Sequence, residues 1–178
     1  MSYNNILKFI SEQNDTFPPV HLWNPKLCEG AKFYINHNGE WFFNESIIRR
    51  HNLCVLFSRI IKKEKTDYYL VSPVEKIHLD CAIEPYKIVD FDLDDSSNIV
   101  FQTNLNFAFK PQQENISKLI FYNSQWIPTV EVREGIGGFI DRNVYYKLAN
   151  ISSKYGFEKN NKLYLKFQNI TFPLGLCA

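Results

Sequence analysis

Glycine is sparse in this chain and methionine is nearly absent: its 178 residues include 7 Gly, 8 Pro and 1 Met. This composition excludes a collagen-like or low-complexity chain and an adaptable Met-rich binding surface. No apolar run reaches the 18 residues of a membrane span, and residues 1–15 lack the apolar run and cleavage site of a signal peptide. We therefore expect a cytoplasmic protein with no membrane partner.

Net charge is also almost absent, because 20 basic residues face 19 acidic ones and leave a formal charge of +1. Without a strong positive field, long nucleic acid is excluded as a partner. Hydrophobic residues make up 45% of the chain and aromatic residues 16%. That is enough apolar material to bury a core, so we expect a chain that folds by itself.

The spacing patterns of metal sites and catalytic groups are missing. The four cysteines are far apart, and none of the four histidines has a neighbour at a ligand spacing. Asp90, Asp92 and Asp94 resemble a calcium loop only superficially, because the required glycine and glutamate are absent. We expect no metal and no cofactor, and no nucleophile–base pair is visible along the chain, so no catalytic residue is assigned.

Hydrophobic periodicity predicts the elements of the first half. Apolar spacing predicts helices over residues 4–13 and 52–63, the second with Lys62 and Lys63 at its C-terminal end. Asn38-Gly39 lies between two short apolar alternations and predicts a hairpin of residues 32–36 and 40–43. Strands are predicted over residues 67–72 and 76–83.

The second half is predicted to be richer in strands. Alternation predicts a hairpin of residues 87–94 and 98–103, then strands over 106–110, 117–122, 129–133 and 163–167. A helix is predicted over residues 143–154, with Gly156 as its C-cap. Residues 135–138 (Gly-Ile-Gly-Gly) are predicted to form a turn before that helix, and a phosphate-cradling loop is the alternative.

Together these elements predict an α+β fold of mainly antiparallel sheet, because the strand connections are too short for helical crossovers. Strand–helix–strand order recurs in the two halves, with residues 40–43 matching 129–133 and Arg50 matching Arg142. We therefore predict two repeated subdomains, each with a helix. Residues 1–85 would hold the N-terminal helix and the first subdomain, and residues 86–178 the second.

Two segments are distinctive in the order and spacing of their residues. They are residues 18–25 (Pro-Pro-Val-His-Leu-Trp-Asn-Pro) and residues 70–76 (Leu-Val-Ser-Pro-Val-Glu-Lys). With residues 38–43, 47–49, 132–133 and 141–142, they resemble the bacterial DUF1285 family, a domain family of unknown function. The resemblance extends from about Phe17 to Gly175. It implies two α+β repeats, the second superficially like a pleckstrin-homology barrel, with a ligand site between them for a nucleotide-like molecule in signalling.

Arginine is scarce, so each one is a candidate for a site that needs a planar, two-pronged cation. We hypothesise a regulatory protein that binds a nucleotide-like or other small anionic ligand. Its cations would hold phosphate or carboxylate, and Trp23 would stack on a base. The predicted ligand-binding residues are Trp23, Asn24, Arg49, Lys76, Arg133 and Arg142.

Two alternatives remain open. One is a hydrolase or transferase acting on a phosphorylated substrate, with Glu75 as base beside Lys76. The other is a protein–protein interaction module with an aromatic surface. The sequence leaves the oligomeric state undetermined.

Overall fold

Residues 17–177 are described by the computed structural model of the chain, and the helix predicted over residues 4–13 lies outside them. The chain divides into two units between Ala82 and Ile83. The sequence placed this boundary after residue 85, three residues later. Each unit contains a six-stranded mixed sheet and helix, so the predicted α+β fold with two subdomains is confirmed.

The sheet of the first unit has the strand order β3-β2-β1-β6-β5-β4. A 3₁₀ turn, Val20–Leu22, precedes it, and one helix, α1 (His51–Arg59), lies between the third and fourth strands. The strands are β1 (Leu27–Ile35), β2 (Trp41–Phe43), β3 (Ser46–Ile47), β4 (Ile61–Glu64), β5 (Asp67–Val71) and β6 (Lys76–Cys81).

The predicted hairpin at Asn38-Gly39 is confirmed. Gly39 has φ of +79°, and β1 pairs antiparallel with β2, Ile35 opposite Trp41. Alternation buries Phe33 and Ile35 on the core face, where α1 adds Phe57. The Phe57 ring lies 5.1 Å from that of Phe33 and 6.2 Å from that of Trp41, so α1 covers this face.

The first helix is shorter than the sequence predicts, because it ends at Arg59 and β4 begins at Ile61. Ile60 and Ile61 are both fully buried, which a continuous helix with one apolar stripe would not favour. Lys62 and Lys63 therefore lie on an edge strand, paired with Tyr69 and Tyr68, and not at a helix C-terminus.

The sheet of the second unit has the strand order β10-β11-β12-β7-β8-β9, and a separate three-stranded sheet has the order β13-β14-β15. The first six strands are β7 (Tyr86–Leu93), β8 (Ile99–Thr103), β9 (Ala108–Phe109), β10 (Ser117–Tyr122), β11 (Gln125–Arg133) and β12 (Ile136–Ile140). After them come the helices α2 (Arg142–Asn150) and α3 (Ser152–Tyr155), then β13 (Gly156–Lys159), β14 (Lys162–Lys166) and β15 (Thr171–Leu176).

Most strand pairs are antiparallel, as predicted, but the central pair of each six-stranded sheet is parallel. β1 pairs parallel with β6, and β7 with β12. The prediction of antiparallel sheet rested on the short connections between consecutive strands. Here the first and sixth strands of each sheet meet, so the whole intervening chain is the connection.

The glycine-rich segment after Arg133 is not a loop before a helix. A tight turn at Glu134 and Gly135 leads into β12, in which all five residues are buried. A Cβ on Gly137 would lie 2.5 Å from the Glu84 carboxyl carbon, and one on Gly138 would lie 2.8 Å from Val132. These glycines allow close packing, and the phosphate-loop alternative is wrong.

The second predicted helix is split at Ile151 into α2 and α3. Gly156 follows α3, but its φ of −88° is extended and not left-handed. The backbone oxygen of Ser152 would lie 2.5 Å from a Cβ at this position, so close packing again accounts for the glycine. The likeness of the second unit to a pleckstrin-homology barrel stays a prediction.

Candidate functional site

A cleft of about 460 Å³ lies in the first unit beside the start of α1. The turn between β2 and β3, with positive φ at Asn44 and Glu45, reverses the chain into Ser46–Ile47. The chain then leads to Arg50, which has an extended backbone and directly precedes α1. The lining residues are Phe43, Ser46, Ile47, Ile48, Arg49, Arg50 and Leu53.

Among the described residues of this lining, the two adjacent arginines Arg49 and Arg50 are the only charged ones, and both are exposed. Within residues 17–177, neither guanidinium group has a hydrogen-bond or ion-pair partner. No side chain caps α1 at Arg50, and no acidic residue lies in its first turn. The helix N-terminus and the two arginines therefore give this cleft an uncompensated positive charge.

Apart from Ser46, the other described residues of this lining are apolar. Phe43, Ile48 and Leu53 are half-buried, and Ile47 is 40% exposed. Behind this wall, the Cys54 thiol is buried and contacts the carbonyl oxygen of Ile48 at 3.8 Å. Burial raises the pKa of Cys54 to about 11, so the thiol stays protonated at neutral pH. The cleft thus combines cations with an apolar wall and no reactive thiolate from Cys54.

A second charged cluster joins the two distinctive sequence segments. Leu27, just after residues 18–25, pairs with Lys76 at the start of β6. The Lys62 ammonium donates a hydrogen bond to the carbonyl oxygen of Trp23 at 2.7 Å and lies 3.3 Å from Glu64. Glu64 in turn accepts a hydrogen bond from Lys76. The structure therefore brings Trp23 and Lys76 into one network.

The ammonium of Lys76 is already engaged in this network. Its side chain is only 13% exposed, and the ammonium lies 4.1 Å from the centroid of the Tyr69 ring. The hydrogen bond from Lys76 lowers the pKa of Glu64 below its ordinary value near 4.5, and Lys62 adds to this effect. Glu64 already neutralises the charge of one of the two lysines. The cluster therefore links β4 to β6 through an ion pair and has less positive charge to offer a ligand.

The other predicted residues have different surroundings. Asn24 is exposed beside Trp23 in the first unit. Arg133 belongs to the second unit, where it donates to the Tyr86 hydroxyl at 3.2 Å and pairs with Glu134 at 3.1 Å. Arg142, at the start of α2, is exposed and donates to a tyrosine hydroxyl at 3.1 Å.

Of the predicted ligand-binding residues, only Arg49 lines the cleft, while Trp23 and Lys76 share the lysine network. Arg50 was not among the residues predicted from the sequence. An arginine doublet directly before a helix that lacks a capping side chain was the signal that could have identified it. Among residues 17–177, no group of three His, Cys, Asp or Glu side chains could hold a metal ion. No helix in this part of the chain is long and apolar enough to cross a membrane.

The chain is similar to proteins of one family. The family model for "Domain of unknown function (DUF1285), N-terminal domain" matches residues 18–82, which include the cleft and the lysine network. The resemblance to the DUF1285 family is confirmed. No curated protein matches the chain.

Two solved structures are similar over long stretches. A DUF1285 family protein from Silicibacter pomeroyi DSS-3 is 27% identical, with a TM-score of 0.82, over 96% of this chain and 94% of its own. A DUF1285 family protein from Shewanella baltica OS155 is 23% identical, with a TM-score of 0.56, over 69% of this chain and 94% of its own. The second likeness concerns the fold alone. Together they support the two-unit DUF1285 fold and leave its function to be argued from the site.

Proposed function

We propose that this chain is a non-enzymatic binding protein for a small organic anion, held in the cleft beside α1. One observation carries the proposal: two adjacent guanidinium groups, unpaired within residues 17–177, line the same cleft. Elsewhere, Arg133 and Arg142 have hydrogen-bond partners, so their donors are partly used. Arginine presents several donors in one plane, which suits the oxygens of carboxylate and phosphate.

The lining also favours a class of ligand. A cleft of about 460 Å³ is within the usual size range for small-molecule sites. Phe43, Ile47 and Leu53 offer apolar contact to the body of a ligand, while the arginines and the start of α1 attract its charge. A nucleoside phosphate or an aromatic carboxylate fits this division better than a bare inorganic ion.

A regulatory role is part of the proposal, in which ligand occupancy would signal the concentration of the anion. We place this role in the cytoplasm, which is supported by four cysteines that form no disulfide within residues 17–177, because disulfides are rare in that compartment. The ligand site between the subdomains that the resemblance implies, with Arg133 and Arg142, stays a prediction.

The test is a thermal-shift titration of the full chain with a nucleoside monophosphate, an aromatic carboxylate and inorganic phosphate. A ligand that binds the folded state raises the Tm in a concentration-dependent way. We expect the organic anions to stabilise the protein more than phosphate does. Loss of one charged hydrogen bond should weaken binding about tenfold or more in Arg49→Ala or Arg50→Ala. The double variant should lose the shift.

Lys26→Ala is the matched control, because it removes an exposed cation of the same unit that does not line the cleft. It should bind as the wild type does. An unchanged shift in the Arg49→Ala/Arg50→Ala double variant would place the ligand elsewhere. Loss of binding in Arg142→Ala would instead favour the site implied by the resemblance.

A second candidate function, hydrolysis or transfer on a phosphorylated substrate, is favoured by one oxygen atom. Oε2 of Glu75 is buried and has no hydrogen-bond partner within residues 17–177. A buried carboxylate oxygen without a partner is costly, and active sites are one place where such atoms occur. Phosphoesterase activity that survives Glu75→Gln unchanged would eliminate this role of Glu75.

A further inference from the structure

The edges of the three sheets are protected to very different degrees. β3 and β9 are two residues long, β4 carries Lys62, Lys63 and Glu64, and β13 carries Glu158 and Lys159. β15 contains Pro173. Short length, charge and proline are the usual features that keep an edge strand from pairing with another chain. β10, the remaining edge, has six residues, a single charge and no proline.

Alternate residues of β10 point their backbone groups away from β11, the one strand that pairs with β10 among residues 17–177. Leu119 lies opposite Pro128, and proline has no N–H, so this pair cannot exchange the two hydrogen bonds of a bonded antiparallel pair. The N–H and C=O of Leu119 therefore face the open edge. By alternation, those of Ser117 and Phe121 face it as well.

Exposed apolar side chains accompany this open edge. Ile116, which precedes the strand, is 62% exposed, and Phe121 is 60% exposed. The Phe121 ring packs at 5.1 Å on that of Trp126, which is itself 45% exposed on the neighbouring strand. A large aromatic pair left in water at a strand edge is typical of an interaction surface.

We propose that β10 pairs antiparallel with β10 of a second copy of this chain, which makes one continuous sheet across a two-fold axis. A register centred on Ile120 sets Lys118 opposite Tyr122 of the second copy, and Leu119 opposite Phe121. No lysine then faces a lysine, and Leu119 covers the exposed aromatic ring. Leu119 and Phe121 both carry outward backbone groups, so their pair is hydrogen-bonded. This self-complementarity favours a second copy as the occupant.

The test is sedimentation equilibrium of the full chain over a concentration series. We expect the wild type to form a dimer. Phe121→Lys replaces an exposed side chain with a charge at the interface and should weaken dimerisation about tenfold or more. Leu119→Pro removes an N–H that β11 does not use, so it should also abolish the dimer while circular dichroism stays unchanged.

Phe157→Lys is the matched control. Phe157 is an exposed aromatic residue on the β13 edge, where it stacks on Tyr164 at 5.5 Å, and this variant should remain a dimer. A monomeric wild type, which would leave β10 to an extended peptide of another protein, overturns the proposal. A dimer that persists in folded Phe121→Lys and Leu119→Pro also overturns it.

Discussion

The two six-stranded sheets share one strand order, but their helices come at different points in the chain. Numbered within its own unit, each sheet reads 3-2-1-6-5-4, with the parallel pair at its centre. In the first unit, α1 connects the two edges of the sheet and covers its core face. In the second, residues 110–116 connect the edges, and α2 follows the sixth strand. The same sheet topology therefore tolerates a helix at either of two points in the chain.

The sixth strands show what this difference changes. β6 buries Ile77 and Leu79 on one face and keeps polar residues on the other, whereas every residue of β12 is buried. In the second unit, α2 contacts β7, and β15 contacts β10 and β11. In the first unit, α1 covers the core face of the sheet, and the cleft lies at the start of this helix. In the second unit, β12 is buried along its whole length. It needs glycine at positions 137 and 138, where neighbouring side chains leave no room for a Cβ.

The largest effect is expected from removing the aromatic anchor of each core. Phe57 in α1 and Phe172 in β15 are both fully buried, and Phe172 packs at 5.8 Å on Phe101. Phe57→Ala and Phe172→Ala should each lower the free energy of unfolding by about 3–5 kcal/mol, because each leaves a cavity. Chemical denaturation measures the loss. Phe121→Ala, at an exposed site, should cost far less, and equal losses in all three variants would contradict this account of the cores.

An intermediate effect is expected at the glycines of β12. Gly137→Ala would press a methyl group against the Glu84 carboxylate, and Gly138→Ala would press one against Val132. Such overpacking should cost about 1–3 kcal/mol in the free energy of unfolding. In a double-mutant cycle, Glu84→Ala should relieve part of the cost of Gly137→Ala, because the colliding atoms are gone.

Gly30→Ala is the control in the first unit. Gly30 has φ of +85°, and apart from its chain neighbours no atom of residues 17–177 lies within 4 Å of the position a Cβ would take, so only backbone strain, of about 1 kcal/mol, should appear. A Gly137→Ala variant that loses no more stability than Gly30→Ala would contradict the close packing of Gly137 against Glu84 as the reason for this glycine.

Sequence patterns correctly predicted the elements that depend on a few neighbouring residues. The Asn38-Gly39 hairpin and β10 were predicted from alternation and turn residues over a few positions. The parallel pairing of β1 with β6 could not be predicted in this way, because it joins segments far apart in the chain. Gly137 was misinterpreted for the same reason. A glycine is needed there because the Glu84 side chain packs against it, and Glu84 lies more than fifty positions away in the chain.

The candidate site was predicted in part. Arg49 was identified because arginine is scarce, and Lys76 because of the segment around it. The structure separates them into a cleft and an ion-pair network. Which cations already have partners depends on the Lys62–Glu64–Lys76 arrangement, and Lys62 was assigned to a helix that ends before it. Because the predicted helix extended a few residues too far, the pairing of Glu64 with Lys76, a predicted ligand-binding residue, was not foreseen.

The smallest effect on the free energy of unfolding is expected from acid. The pH at which the loss begins should differ between the two units. Lys76 lowers the pKa of Glu64 below 4.5 in the first unit, and a hydrogen bond from Lys110 lowers that of Asp94 below 3.8 in the second. A carboxyl group with a lowered pKa in the folded state stabilises the fold above its unfolded pKa and loses this contribution as the pH falls. The Glu64 contribution should therefore begin to fade below pH 4.5, before that of Asp94.

Urea unfolding of the wild type and of Glu64→Gln between neutral and acid pH tests this order. Glu64→Gln should cost about 1 kcal/mol or less at neutral pH, as for other partly exposed ion pairs, and the two proteins should converge as the pH falls. Glu29→Gln, at an exposed position without a partner within residues 17–177, should follow the wild type throughout. If Glu64→Gln keeps its full deficit in acid, the carboxylate acts through packing and not through charge. Neutralisation by Glu64 would then no longer be a reason to set Lys76 aside as a candidate cation for the ligand.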